Sequence, residues 1–514
     1  MKYFSKISFA ILLPCFISLA VSAQIKTYNI KRYGAKADGK TNNTAAIQKA
    51  IDEASANGGG RVLVPAGKFV TGVLILKSNV DLHVDKGAFL LGSAIRADYG
   101  EGKASPLIVS NNQHHIAITG QGTIDGQGRA LIKDIYRRLH AGTLPDTEWR
   151  KPNPWHQLRP TEDNRPKLIE FKSCSDINIK NITIKNGLCW IQNYKDCTNL
   201  VIDHIKVESV TYWNNDGIDL VDCKNVKLTN SFFNAADDGI CLKSEDRSGA
   251  CENIYIANCR IRSSASALKF GTASHGAFKK ITVRNISVYD TYRSAIALES
   301  VDGATLEDID IRDITATNTG NALVIRLGHR NQKVPAGILR RVYIGNVKVD
   351  VPAGKPDAGY EMEGPLVTIP HNVFPSSVTG IPGSRVEDVT LENITINYAG
   401  GAKKERAYFG MDTLEKVPEK ISSYPEFSMF GELPAWGFYI RHADGIKIKN
   451  MVLTCKGTDY RPALIADDVK GLAINALTIP QVKKKPVVVL NKVSGLALKH
   501  TVIPGSAKQN ILLQ

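Results

Sequence analysis

The chain has 514 residues, 43% of them hydrophobic and 22% charged, and a formal net charge of +15 at pH 7. That length exceeds one ordinary core, so the fold either divides into domains or grows by repetition, and the composition excludes a disordered chain. The positive excess suits an anionic partner, acidic polysaccharide more naturally than nucleic acid for an exported chain, or else serves solubility alone.

The N-terminal stretch MKYFSKISFAILLPCFISLAVSAQ joins Lys2 and Lys6 to an apolar run and the small-residue site Val21-Ser22-Ala23. It reads as a secretory signal peptide over residues 1–23, leaving one domain over residues 24–514 and a periplasmic or extracellular location. No later apolar run is long enough for a membrane span. Residues 38–60 form a cap region. Thr41 to Thr44 offer caps, Ala45 to Ala56 an amphipathic helix, and Gly58-Gly59-Gly60 its stop. A helix there covers strand edges that an open end would expose.

The middle of the chain repeats. CSDINIKNITI (174–184), CTNLVIDHIKV (197–207), CKNVKLTNSFF (223–233) and CENIYIANCRI (251–261) share one template, and copies without the cysteine run to VKGLAINALTI (469–479). Alternation at period 2 predicts strands with one buried face, and the repeat predicts a solenoid. An all-β fold, a parallel β-helix of short strands, fits best. The template Asn suits a turn and is placed to stack as a ladder inside the coil. Cys174, Cys197, Cys223 and Cys251 fall at one template position. Disulfides are one reading in an exported chain, and a buried ladder of free thiols is the preferred one. Segments 127–166, 352–385 and 400–437 interrupt the repeats as long loops that line a groove. They carry Trp149, Trp155, Tyr408, Tyr424, Phe427, Phe430 and Trp436, which either stack on sugars or pack their own loops.

The chemistry lies in NNDGIDLV (214–221) and ADDGICLK (236–243), which align with an offset of 22. Asp216 falls under Asp238, and Asn215 under Asp237. Leu242, Leu268, Leu298 and Ile325 then read as an interior ladder, with Lys243, Lys269, Glu299 and Arg326 pointing outward beside it. Stacked carboxylates have their pKa values pushed apart, which glycoside hydrolysis needs: one group protonates the leaving oxygen and another activates water. The competing readings are a solvated Asp-Asp-Gly turn and a calcium site. Lys243 and Lys269 argue against the cation.

These two motifs, with GQGTIDGQG (120–128), RPKLIEFKSC (165–174) and DGKTNNTAAIQKAI (38–51), resemble glycoside hydrolase family 28, the polygalacturonases, in its bacterial branch. The resemblance implies a right-handed parallel β-helix and inverting hydrolysis of a pectin-type acidic polysaccharide, with no metal and no cofactor. It implies Asp237 as general acid, with Asp216 and Asp238 holding and activating the water. Two departures stand out. The family's Gly-His-Gly reads SSASALKFG, with Ser266 near the His position and His275 close behind. The family's Arg-Ile-Lys reads Ala297-Leu298-Glu299. Lys269, Lys243, His275 and Arg326 become the candidates for binding substrate, and a rhamnogalacturonan or another substituted acidic glycan rises as the substrate. Loops that wall off the groove imply release of short sugars from a chain end. A polysaccharide lyase or epimerase, and a non-catalytic glycan-binding β-helix, are the alternatives.

Overall fold

The computed structural model describes residues 25–151, 158–357, 374–401, 413–425 and 433–514. The leader, Trp155, Tyr408, Phe427 and Phe430 lie outside the described residues.

Alternating apolar residues produce what the period predicts. In the template strands Ile177 and Ile179, Leu200 and Ile202, Val226 and Leu228, and Ile254 and Ile256 are all buried. Each pair sits on its counterpart in the next coil through parallel pairing, as in Leu200 with Val226 and Val226 with Ile254. Three strand positions recur in each coil, giving three stacked parallel sheets. One runs through Ile108–Asn111, Ile169–Lys172, Gln192–Lys195, Ile218–Val221 and Ile240–Lys243. The others run through the template strands, as in Ser175–Lys180, and through the strands after them, as in Thr183–Lys185. The chain is a parallel β-helix with its core along the axis, each coil covering the apolar face of the last.

The corners are set by left-handed backbone. Asn181, Asn230, Asn258, Asn285, Asn346, Asn393 and Asn450, all at one template position, have φ between 52° and 61°, a conformation asparagine tolerates better than most other side-chain-bearing residues. Their amides form a ladder: Asn258 Nδ2 donates to Asn230 Oδ1 at 3.0 Å and Asn285 Nδ2 to Asn258 Oδ1 at 2.8 Å. The ladder runs on the exposed outside of the corner and not inside the coil, because a left-handed residue at a corner turns its side chain away from the axis.

All eight cysteines after residue 24 are buried free thiols. Cys197, Cys223 and Cys251 donate to the carbonyls of Phe171, Tyr194 and Leu220 on the preceding coil at 3.4, 3.1 and 3.3 Å. Stacking in parallel aims each thiol at a backbone oxygen below it.

Helix α1 (Thr44–Ala56) buries Ile47, Ala50, Ile51 and Ala54 against the first coil and ends at glycines with φ from 85° to 144°. The segment 127–166 is not irregular throughout. It holds helix α2 (Gly128–His140), which buries Leu131, Ile132, Ile135 and Leu139. Trp149 packs edge-on against His140 at 5.0 Å, so it serves its own loop. Trp436 is likewise buried, against Tyr398. Residues 413–425 lie as a strap across the outer face of the first sheet. Leu414 and Val417 join Leu433, Ala435, Tyr439, Ile465 and Val489 in a second, smaller apolar cluster. No helix among the described residues is long and apolar enough to cross a membrane.

Candidate active site

The register of Ile218 with Ile240 and Leu220 with Leu242 brings Asp216 beside Asp238, as their spacing predicts. The Gly217 amide donates to the Asp238 carbonyl at 2.9 Å and locks the two turns together. Asp216, Asp237 and Asp238 line the floor of a cavity of about 410 Å³, large enough for a sugar-sized ligand. Asn215 does not join them. It is fully buried, accepts from Ser209 Oγ at 2.9 Å and donates to the Gly187 carbonyl at 2.8 Å, so it holds the turn.

Two buried ammonium groups sort the acids. Lys269 Nζ lies 3.2 Å from Asp238 Oδ2 and 3.9 Å from Glu299 Oε2. Lys243 Nζ lies 3.5 Å from Asp216 Oδ2 and makes a shorter ion pair with Asp219 Oδ1. The Ser266 amide adds a hydrogen bond to Asp238 Oδ1 at 3.0 Å. Asp237 differs. It is half-buried, and its Oδ1 accepts from the Asp238 amide at 2.9 Å. Among the described residues no cation lies within ion-pair distance of it. Burial, then the neighbouring Asp219 and Asp237, push the Asp216 pKa well above the carboxylate range, against the pull of Lys243. Burial pushes Asp219 up to about 6, again against Lys243.

Lys269 lies one residue pair away from its expected place. It sits opposite Cys241 and Ala297, while Phe270, and not Leu268, lies between Leu242 and Leu298. A slip of two preserves the facing, so Lys269 still points outward into the site. Lys243 and Lys269 both reach the cavity, but each is paired with protein carboxylates. His275 and Arg326 are not brought to it. His275 Nδ1 faces the Asp302 carbonyl at 2.9 Å. Arg326 is buried beneath the strap, donating to the Glu419 carbonyl at 2.5 Å and the Gly380 carbonyl at 3.3 Å. It anchors the strap instead of facing the acids. The Lys–Glu–Arg column is not a surface salt ladder, since Lys269, Glu299 and Arg326 are all buried, and of the three only Lys269 lines the cavity.

The walls come from residues without a repeat signal. Trp190 and Trp213 stand on turns before the strands Gln192–Lys195 and Ile218–Val221, and Tyr292 and Lys355 line the other side. Buried Arg165 fixes the Trp213 turn, donating to the carbonyls of Trp213 at 2.7 Å and Leu188 at 3.0 Å. Tyr136 of α2 supports the same turn through the Tyr212 hydroxyl at 2.7 Å. The strap closes one side: Lys269 Nζ donates to Tyr424 Oη at 2.8 Å.

Asp216, Asp238 and Cys241 each place one donor atom within 4.8 Å of the others. The set does not suit calcium, which takes oxygen ligands. The Cys241 thiol is held protonated by burial, and Lys243 and Lys269 already stand against the two carboxylates.

The family model for glycosyl hydrolases family 28 matches residues 55–358. The chain is 25% identical over 442 residues to the exo-poly-alpha-D-galacturonosidase of Dickeya chrysanthemi, covering 74% of this chain and 73% of that one. It is 25% identical over 329 residues to the endo-polygalacturonase of Pectobacterium carotovorum subsp. carotovorum, covering 61% and 70%. Among solved structures it resembles the exopolygalacturonase of Thermotoga maritima, with TM-score 0.57, 24% identity, and 73% and 88% of the two chains covered. The match takes in the whole acid cluster, and the chain belongs to glycosyl hydrolases family 28 and is a glycoside hydrolase.

Proposed function

We propose that the chain is an exported, inverting hydrolase of pectin-type acidic glycans that works from a chain end. The observation that carries this is the division of three carboxylates on one cavity floor. Asp216 and Asp238 sit side by side on adjacent coils, each against a buried lysine. Asp237 stands apart from both lysines and nearer to solvent. In this reading Asp237 gives its proton to the leaving glycosidic oxygen. Asp216 and Asp238 hold a water between them and take its proton as it attacks the anomeric carbon from the opposite face, which inverts the configuration. Trp190, Trp213, Tyr292 and Tyr424 supply aromatic faces for sugar rings and exclude bulk water.

The relatives act on polygalacturonate by name, in both exo and endo modes. The strap that brings Tyr424 onto Lys269 supports the chain-end mode, because it blocks the groove on one side. The lyase alternative requires a basic side chain able to take a proton. Burial works against charge on Lys243, but Asp219, Cys241 and Asp216 outweigh it and hold its pKa above the ordinary lysine value, so it stays an ammonium. The test is a product-profiled time course on defined pectic oligosaccharides, followed by NMR. Release of one short product from one end, with the anomeric configuration opposite to the bond cleaved, is expected. Mid-chain products contradict the chain-end mode, and retained configuration contradicts the mechanism.

A further inference from the structure

Asp219 is a fully buried carboxylate that the reaction as drawn does not use. Its strand places it outward, in register with Asn193 below and Cys241 above. Lys243 stands opposite Val221 on the next coil and reaches diagonally back to it. The Lys243 ammonium donates to Asp219 Oδ1 and to Cys241 Sγ at 3.2 Å, and lies 3.5 Å from Asp216 Oδ2. The Trp190 ring lies 4.2 Å from the same ammonium. That cation is thus held by two carboxylates, a thiol and an aromatic face of the protein itself.

A buried ion pair is a weak source of stability, since taking both charges out of water costs about what their attraction returns. Here the pair touches one of the acids that the reaction depends on. We propose that Asp219 and Lys243 form a positioning pair that holds the Asp216 carboxylate beside Asp238 for water activation without touching the substrate. The inference rests on the hydrolytic roles assigned above. Asp216 is faced by Asp219, Asp237 and Asp238 as like charges and by Lys243 as the opposing one. Asp219 is faced by Lys243, Asp238 and, more distantly, Lys167. Taking away the ammonium leaves Asp216 among acids alone, so it ionises only at higher pH. Taking away both members removes the raising neighbour together with the lowering one.

The experiment is the pH dependence of kcat/KM on a defined acidic oligosaccharide for wild type, Lys243→Met and the double variant Asp219→Asn/Lys243→Met. Circular dichroism and the thermal midpoint establish folding. In Lys243→Met the acidic limb should move up by about one pH unit or more, with kcat at pH 5 lowered about tenfold or more and KM little changed. In the double variant the limb should return to or below its wild-type place while kcat stays reduced. A folded Lys243→Met with an unmoved limb overturns the proposal. So does a raised KM at unchanged kcat, which would make Lys243 a substrate contact. If Lys243→Met does not fold, the double variant decides alone: wild-type kcat with a wild-type limb overturns the proposal. Loss of turnover in Asp237→Asn is a separate matter, so failure here leaves the hydrolytic reading standing.

Discussion

Asp216 shows how a single residue sets function against stability. Its pKa is raised by burial and by Asp219 and Asp237. The native state therefore holds a proton at pH values where the unfolded chain has lost it. The stability this gives is complete below the ordinary value near 3.8 and is lost as pH rises through the raised one. Asp216→Asn should therefore raise the thermal midpoint at pH 7, by on the order of 1–2 °C, and leave it unchanged below pH 4. Scanning calorimetry at the two pH values checks this, and destabilisation at pH 7 would count against the assignment. Asp216 and Asp238 were legible because both stand in one motif repeated after 22 residues. Asp219 lay in the same quoted stretch, and strand parity already pointed it outward. Nothing in the sequence says that Trp190 and Lys243 cover it. The turns Phe233–Ile240 and Ile261–Leu268 are equally long, so Leu268 pairs with Ile240 and Lys269 with Cys241; Lys269 was displaced because Leu-Lys matches in composition wherever it falls.

The strap 413–425 reaches the cavity wall through Tyr424. Its length and aromatics were visible in the sequence, but its partners were not, because they lie 92 to 155 residues earlier or on later coils. Arg441 Nη2 meets Glu419 Oε1 at 2.9 Å. His442 meets Glu419 Oε1 through Nε2 at 3.0 Å and Asp468 Oδ2 through Nδ1 at 2.6 Å. Arg385 also meets Asp468, at 2.8 Å. Only a doubly protonated imidazole can donate both bonds. Burial lowers the His442 pKa, and the two carboxylates outweigh it and raise it. That stabilisation is complete below the unfolded histidine value and is lost as pH rises through the raised one. Proteolytic cutting within 413–425 should therefore increase above that pH, and His442→Gln should cut readily at every pH. A pH-independent rate in wild type would contradict the latch. Tyr424→Ala should add mid-chain products to the oligosaccharide profile, and an unchanged profile would remove the strap from the chain-end account. Helix α2 was equally legible in principle, since Leu131, Ile132, Ile135 and Leu139 share one helical face.

At the scale of the molecule the repeat fixes nearly everything except the site. Each coil rests on its neighbours, so a core truncation such as Ile256→Ala should cost about 2–5 kcal/mol. The thiols should play no covalent part. A native thiol assay should find none of the eight reactive and a denatured one all eight, and reductant should leave the thermal midpoint unchanged. The net charge was a poor guide to the pocket. Residues 469–514 carry seven lysines and no acidic residue, whereas Lys243 and Lys269 on the cavity floor are already balanced by protein carboxylates. In the proposed reading an acidic glycan meets wall residues such as Arg159, Arg293 and Lys355, which no repeat position announces. The most direct test of the whole account is turnover of Asp237→Asn on a pectic oligosaccharide that the wild type cleaves. A loss of roughly 10²–10⁴ in kcat is expected, with folding and thermal midpoint intact. Near-normal turnover, or unsaturated products absorbing in the ultraviolet, would contradict it.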